Sequence, residues 1–367
     1  MVTTAAGTGS WPMFADGPAH NSVNRAETIL GPSTVQGLRV THTYGSWMPV
    51  LNDAPYQVIV GNLGYGVVGG RHGTANTYVA AFDLASGTRV WRHQISSHSN
   101  TWNFVPAVRG GTLFIGGDTT MYAFNAINGV TQWTTTVSNS SAADFNEVTV
   151  ADGIVYADTY YGGTVYAFDA GTGRILWSRV PAGCCLTGSV SIAGGLAYVV
   201  TDHLIAYNAR TGASAFHSST TMFSNAVAVS AEVAYLAGSN SLEAYDAASG
   251  TLLWSSPLAN GAYEAAVDGS TVVVGDGQYL TAFAAASGRQ LWRVDSGSPT
   301  TDYSLPAIAN GVIYAASLGQ GLQAVDEVTG SVLYSKPGAC LNPLVASGSV
   351  YSACLGAGGF AVTAFQL

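Results

Sequence analysis

A twelve-residue phrase ending in an aromatic residue recurs along this chain at nearly constant spacing. The copies read AAFDLASGTRVW from Ala80, YAFNAINGVTQW from Tyr122, YAFDAGTGRILW from Tyr166, IAYNARTGASAF from Ile205, EAYDAASGTLLW from Glu243, TAFAAASGRQLW from Thr281 and QAVDEVTGSVLY from Gln323. The turn glycines of the first and last copies, Gly87 and Gly330, are six repeats apart, which gives a period of about 40 residues. This period is typical of the blade of a β-propeller.

Each copy reads as a strand, a glycine-containing turn and a second strand, and a further strand pair such as GIVYAD or TVVVGD lies upstream. The last residues, 360–367 (FAVTAFQL), repeat the third-strand pattern and stop where its turn begins. Residues 38–44 (LRVTHTY) are placed to supply the missing outer strand. We therefore predict an all-β fold: an eight-bladed β-propeller of four-stranded antiparallel blades, closed by pairing of the N- and C-terminal strands. Residues 36–367 form the propeller, and residues 1–35 are an extension packing on it.

Composition restricts the possible partners. Only 9% of residues are charged, the net charge is −9, and no basic run occurs, which argues against nucleic acid and anionic membranes as partners. No apolar stretch reaches the length of a membrane span. The start, MVTTAAGTGS, lacks the pattern of a signal peptide, which leaves a removed signal or a cytosolic protein. We expect a monomer.

The cysteines favour export over the cytosol. Cys340 and Cys354 each lie seven residues from Ser347, so a hairpin folded about Ser347 places them opposite each other, where a disulfide can form. Two free buried thiols are the alternative. Adjacent Cys184 and Cys185 form either a strained disulfide ring or two small core residues, and their spacing predicts no zinc site.

The phrase A-[FY]-D-x-x-[ST]-G-x-x-x-W resembles the tryptophan-docking repeat of pyrroloquinoline-quinone (PQQ) type propellers. This family includes eight-bladed quinoprotein alcohol dehydrogenases and outer-membrane assembly propeller lipoproteins. The opening WPMFADGPAHNSVN (residues 11–24) also resembles that of many exported members, with Asp16 and His20 matching and Ser22 in place of a glycine. The resemblance implies that the repeat tryptophans pack blade to blade: Trp91, Trp133, Trp177, Trp254 and Trp292. It also implies that a site lies in the loops at one mouth of the central funnel.

We call the loops that join the outer strand of one blade to the inner strand of the next the funnel mouth. Acids, amides and aromatic residues gather there, the groups from which sugar-binding clefts are built. The predicted ligand-binding residues are Trp102, Asn103, Phe145, Asn146, Glu147, Phe223, Asn225, Tyr263, Glu264, Asp302, Tyr303 and Asn342. The same alignment of inner strands brings Gln57, Phe104, Ser189 and Ser304 to the mouth. Channel-lining polar groups that bind only water are the alternative interpretation.

Candidate catalytic residues at the mouth are Glu147, Glu264, Asp302, Asp144 and His98. Glu147 lies on blade 3 and Glu264 on blade 6, about 135° apart around an eight-fold ring, so the spacing does not predict a close pair. Asp144 with Glu147, or Glu264 with Asp302, are expected to be nearer. The sequence contains no Ser-His-Asp order, no phosphate loop and no zinc motif.

In quinoproteins of this fold, PQQ lies under an adjacent-cysteine disulfide beside a calcium ion held by Glu and Asn. Cys184 and Cys185 match the first element by type, and Glu147, Asn146, Asn342 and Asp302 match the calcium ligands and the basic aspartate. The quinone carboxylates also need cations, and the nearest arginines, Arg71, Arg92 and Arg179, fall on loops or outer strands. We therefore predict no cofactor, with PQQ and calcium as an alternative.

The sequence as a whole predicts an exported protein that binds a glycan, a small molecule or a partner protein at the funnel mouth. One alternative is a cofactor-free lyase or hydrolase acting through the mouth carboxylates. The second alternative is a PQQ-dependent dehydrogenase.

Overall fold

The computed structural model describes residues 9–44, 57–69, 76–97, 104–137, 145–159, 163–182, 188–219, 224, 226–262, 264–297, 302–357 and 359–367. Within these residues there are eight antiparallel sheets of four strands, and a single 3₁₀ turn at Val35–Gly37. The prediction of an eight-bladed β-propeller is confirmed. Within the same residues, no helix is long and apolar enough to cross a membrane.

The strands follow in chain order, beginning with β1 (Arg39–Tyr44), which belongs to the last blade. Blade 1 contains β2 (Val58–Val60), β3 (Leu63–Gly69), β4 (Thr77–Asp83) and β5 (Arg89–Ser96), and blade 2 contains β6 (Ala107–Arg109), β7 (Thr112–Gly116), β8 (Thr120–Asn125) and β9 (Thr131–Thr136). Blade 3 contains β10 (Thr149–Ala151), β11 (Ile154–Asp158), β12 (Val165–Asp169) and β13 (Ile175–Arg179), and blade 4 contains β14 (Ser191–Ala193), β15 (Leu196–Val200), β16 (Leu204–Asn208) and β17 (Ser214–His217).

The second half repeats the arrangement. Blade 5 contains β18 (Val227–Ser230), β19 (Val233–Ala237), β20 (Ser241–Asp246) and β21 (Leu252–Pro257), and blade 6 contains β22 (Ala265–Asp268), β23 (Thr271–Asp276), β24 (Tyr279–Ala284) and β25 (Gln290–Asp295). Blade 7 contains β26 (Ala307–Ala309), β27 (Val312–Ser317), β28 (Gly321–Asp326) and β29 (Val332–Lys336), and blade 8 contains β30 (Cys340–Ala346), β31 (Ser349–Gly356) and β32 (Gly359–Gln366). The first strands of neighbouring blades contact one another, so they line the central axis.

Register explains why the repeat contains Ala, Gly and Trp. In blade 1 the buried Ala81 pairs across from Trp91, and its small side chain leaves room for the indole. Nε1 of Trp91 donates a hydrogen bond to the carbonyl of Ala126 in blade 2 at 2.9 Å. A Cβ added to Gly129 would lie 2.8 Å from the same indole, and this glycine also has a φ of 75°. Each tryptophan therefore packs on the turn glycine of the next blade, as the resemblance implied.

The two ends of the chain meet in blade 8. Strand β1 pairs antiparallel with β32, for example Val40 with Phe365 and Tyr44 with Val362. The N-terminal strand is thus the outer strand of a blade whose other three strands are C-terminal, which confirms the predicted ring closure.

The Cys340–Cys354 disulfide is also present, with the two cysteines paired directly across β30 and β31. The register shifts between Leu341 and Leu344, where Asn342 has a φ of 47°. The hairpin is therefore not symmetric about Ser347: a bulge contributes one extra residue and brings the cysteines back into line. Cys184 and Cys185 lie outside the described residues.

Residues 9–24, which we call the channel segment, cross the centre of the ring. Backbone hydrogen bonds join this segment to six inner strands, at Ile59, Val108, Ile192, Val229, Val267 and Ile308. Side chains reach the other two: His20 contacts Thr149 of blade 3, and Asn24 Nδ2 donates to the carbonyl of Val345 in blade 8 at 2.8 Å. A segment that reaches all eight inner strands lies on the central axis, so it closes the channel beneath the funnel mouth.

Candidate functional site

The funnel mouth is described in part. The structure places Asn146 and Glu147 before β10, Glu264 before β22, and Asp302 with Tyr303 before β26. Asn342 lies at the bulge in β30. Seven predicted site residues lie outside the described residues: His98, Trp102, Asn103, Asp144, Phe223, Asn225 and Tyr263.

Glu147 is a buried carboxylic acid, with 7% of its surface exposed. Burial raises its pKa well above the usual range, and the negative charges of Glu264 and Asp158 raise it further. Glu264 is therefore close enough for its charge to raise the pKa of Glu147, although the spacing of blades 3 and 6 did not predict a close pair. Glu264 directly precedes β22 and Glu147 lies two residues before β10, so both residues are near the narrow centre of the ring, where an angular separation corresponds to a short distance.

Asp158, which sequence reasoning missed, completes this group. It ends β11, which runs antiparallel to β10 and so finishes at the mouth beside Asn146. Asn146 Nδ2 donates to Asp158 Oδ2 at 2.8 Å, and Asn146 N donates to the Asp158 carbonyl at 2.9 Å. Oδ1 of Asp158 is buried and has no hydrogen-bond partner among the described residues. The sequence feature that could have identified Asp158 is an acidic residue at the end of the otherwise apolar strand IVYAD. We call Glu147, Glu264 and Asp158 the acidic cluster.

Asp276 occupies the position in blade 6 that is equivalent to Asp158, and its role is structural. It ends β23 of blade 6, as Asp158 ends β11 of blade 3. Its carboxylate accepts backbone N–H bonds from Ala259, Asn260 and Gly261, and Arg293 Nη2 lies 3.3 Å from Oδ2. Asp276 therefore anchors the loop that leads to Glu264, with its charge matched. Among the described residues, one oxygen of the Asp158 carboxyl accepts a hydrogen bond from the Asn146 amide and the other has no hydrogen-bond partner.

Asp158 is expected to make stability depend on pH. Burial raises its pKa from 3.8 to about 7, so the folded state favours the protonated acid. The contribution of the protonated acid to stability is full below pH 3.8 and is lost as pH rises through about 7. Asp158→Asn keeps an acceptor for Asn146 and cannot ionise. We expect it to raise the free energy of unfolding by up to about 4 kcal/mol at pH 8 and to change it little at pH 4, measured by chemical denaturation.

Asp169→Asn is the matched control for this prediction. Asp169 accepts hydrogen bonds from Thr172, and these bonds lower the pKa of its carboxyl. Its replacement should therefore reduce stability by a similar amount at pH 8 and at pH 4, because stability from a lowered carboxyl pKa is lost only below pH 3.8. An Asp158→Asn effect that is equal at the two pH values would contradict the assignment of a raised pKa to Asp158.

Two predicted ligand-stacking residues are buried in the blades instead, and this corrects the prediction. Phe145 is 1% exposed and packs edge-on against Tyr166 and Phe168. Tyr303 is 5% exposed, and its hydroxyl donates to Gln323 Oε1 at 2.6 Å. Both residues form isolated β-bridges with residues at the ends of neighbouring strands. These bridges direct the two aromatic rings into the hydrophobic core of the blades. They support the mouth and offer no face to a ligand. Asp302 is exposed.

The described residues do not fit PQQ and its metal ion. Among them, no three His, Cys, Asp or Glu side chains are grouped closely enough to hold a metal ion. Two of the arginines considered as partners for the quinone carboxylates act elsewhere: Arg92 lies over the Tyr78 ring at 4.7 Å, and Arg179 Nε donates to the carbonyl of Gly212 at 2.7 Å. Both lie on outer strands. Arg71 is outside the described residues. We derive no step through this cofactor.

Solved structures with a similar fold are distant in sequence. A europium-containing methanol dehydrogenase is 14% identical, with 100% of this chain and 99% of that chain covered and a TM-score of 0.78. A quinohemoprotein alcohol dehydrogenase from Comamonas testosteroni is 15% identical, with 99% and 81% covered and a TM-score of 0.77. BamB from Moraxella catarrhalis is 17% identical, with 90% and 98% covered and a TM-score of 0.62. At these identities the likeness shows the fold alone.

No curated protein matches the chain. A family model does: it matches residues 75–241 and 238–365, a span that includes most of the propeller and ends within β32. The chain belongs to the family described as outer membrane protein assembly factor BamB, the propellers with PQQ-type repeats.

Proposed function

We propose that this protein is an exported binding protein that takes an oligosaccharide at the funnel mouth. The observation that carries the proposal is the acidic cluster. Glu147 and Asp158 are buried, they repel each other, and Glu264 adds a third negative charge. Such an arrangement destabilises an empty propeller, because burying two carboxyl groups close to one another and to a third negative charge is costly. A ligand that hydrogen-bonds to them offsets this cost.

The chemistry of the cluster restricts the ligand. Ionised carboxylates only accept hydrogen bonds, whereas a protonated Glu147 also donates one. Sugar hydroxyls serve in both roles, so a neutral polyhydroxylated ligand satisfies the cluster in either protonation state. The channel segment closes the axis beneath, so the ligand enters and leaves through the mouth. Export is supported by the Cys340–Cys354 disulfide, since disulfides persist in oxidising compartments.

The test is calorimetric binding of a panel of oligosaccharides that includes the β-1,4-linked trimers of glucose, N-acetylglucosamine and glucosamine. We expect at least one to bind, and the double variant Glu147→Gln/Glu264→Gln to weaken binding by at least about tenfold, the loss of one charge-assisted hydrogen bond. The fold should be unchanged because Gln keeps the shape of Glu.

The matched control is Asp152→Asn/Glu232→Gln. Both residues are exposed and lie in the turns after β10 and β18, at the end of the inner strands opposite the mouth. This variant therefore also replaces two acidic side chains, but at positions remote from the mouth. Equal loss of affinity in both double variants would indicate a general charge effect. Failure of every oligosaccharide to bind would refute the proposal. Release of new reducing ends by the wild type, lost in the Glu variant, would make the protein an enzyme acting through the same carboxylates.

A partner protein is the second candidate, and the family match favours it. BamB is named as an assembly factor, and assembly requires contact with another protein. In that case the mouth would receive side chains of the partner that carry hydroxyl or ammonium groups. Binding of the partner would then be weakened by the same Glu147 and Glu264 substitutions.

A further inference from the structure

A small pocket lies at the funnel mouth between blades 1, 7 and 8 and the channel segment. Its walls are largely apolar, with Trp11, Phe14, Leu305 and Leu344 among them, and its polar groups are Gln57 and Asn342. The pocket has room for a group of a few non-hydrogen atoms but not for a sugar ring. We call it the amide pocket.

Gln57 is an unpartnered donor in this pocket. It directly precedes β2 and is 6% exposed, and its Nε2 has no hydrogen-bond partner among the described residues. A buried donor left in this state is destabilising, and native structures contain few of them. The amide therefore needs an acceptor that enters from the mouth.

The walls of the amide pocket are held in place before any ligand arrives. Trp11 exchanges both backbone hydrogen bonds with Ile59, at 2.7 and 2.9 Å. Asn342, in its left-handed conformation at the bulge, donates its backbone N–H to Ser304 Oγ at 2.8 Å. Walls fixed in this way lose little freedom on binding, which is typical of a site built for one group.

The group that fits must combine an acceptor with an apolar end. We propose that the amide pocket takes the acetamido group of an N-acetylhexosamine, so that the ligand is an N-acetylated oligosaccharide; this rests on the proposed function. The acetamido carbonyl accepts from Gln57 Nε2, and the methyl group packs against Trp11 and Phe14. A hydroxyl would satisfy the amide but leave the apolar walls unfilled. An ammonium group can only donate hydrogen bonds, so it cannot accept one from Gln57 Nε2.

The experiment compares three β-1,4-linked trimers that differ only at C2: N-acetylglucosamine, glucose and glucosamine. We expect the N-acetylglucosamine trimer to bind the wild type at least tenfold more tightly than the other two. Gln57→Met, which keeps length and removes the amide, should cut affinity for this trimer at least tenfold and reduce affinity for the glucose trimer by a smaller factor. The control is Gln132→Met, on the exposed face of β9.

The outcomes separate this proposal from the proposed function. Tighter binding of the glucose or glucosamine trimer would overturn the acetamido assignment while leaving oligosaccharide binding in place. The acetamido assignment is overturned in the same way if Gln57→Met binds the N-acetylglucosamine trimer as tightly as the wild type does. Binding of none of the trimers would overturn both proposals. A thermal midpoint of Gln57→Met that is no lower than that of the wild type would show that a lost affinity reflects the missing amide and not a damaged fold.

Discussion

Removal of residues 359–367 is expected to abolish the native ring. The deletion takes away β32, the strand that pairs with both β1 and β31, including the fully buried Phe365. The outer strand β1 then has no partner, and the edge of β31 is exposed to other chains, which promotes aggregation. We expect insoluble protein, or soluble protein without a cooperative unfolding transition by circular dichroism.

Deletion of Leu367 alone is the control, because this exposed residue follows the last strand. It should leave solubility and the thermal midpoint close to those of the wild type. A soluble protein lacking residues 359–367 with an unchanged thermal midpoint would contradict closure of the ring by β32.

The fold was predictable because its contacts repeat. Each tryptophan contacts a glycine about 40 residues later, as Trp91 contacts Gly129, so one local pattern determines both a blade and its neighbour. Ring closure was predictable for a related reason: the C-terminal copy stops before its outer strand, and residues 38–44 had no other copy to join. The cysteine pair could be predicted from a symmetric hairpin even though the real hairpin contains a bulge at Asn342.

The candidate site was less predictable because it depends on features that do not repeat. The repeat spacing predicts the angle between Glu147 and Glu264 but not the radius of the funnel, so their interaction was missed. Phe145 and Tyr303 occupy loop positions in the pattern, yet bridges to Thr159 and Ser317 make them core residues. Asp158 was not singled out because strand patterns do not show which strand ends share the mouth.

The channel segment was the largest element that repeats could not predict. Residues 9–24 contact all eight blades, and those contacts have no constant sequence separation. The resemblance to exported family members marked Asp16 and His20 as unusual but did not say what they touch. In the structure His20 is 1% exposed and lies between blades 3 and 4.

Replacement of His20 by Ala is expected to cost about 3–5 kcal/mol of the free energy of unfolding at pH 7. His20 Nε2 lies 2.8 Å from Thr149 Oγ1, and Nδ1 lies 3.0 Å from Ser189 Oγ and 2.9 Å from Ser191 Oγ. The hydroxyl of Ser191 donates to the carbonyl of Val227, so Ser191 accepts from Nδ1–H and Nε2 accepts from Thr149. Alanine leaves these buried hydroxyls with fewer partners and opens a cavity beside Phe14.

The effect of His20→Ala should also shrink in acid. Burial lowers the pKa of His20 from 6.5 to about 3, so the folded state holds the neutral ring. The contribution of the neutral His20 ring to the free energy of unfolding is full above pH 6.5. It falls by about 1.4 kcal/mol for each pH unit below that value, until pH 3. Between pH 7 and pH 5 we expect the difference in free energy of unfolding between wild type and His20→Ala to narrow by about 2 kcal/mol, measured by urea denaturation.

Asn21→Ala is the control, because Asn21 bonds to Val267 through its backbone carbonyl. A difference that stays constant with pH, or an equal loss in Asn21→Ala, would show that His20 does not hold the channel segment in the way we describe.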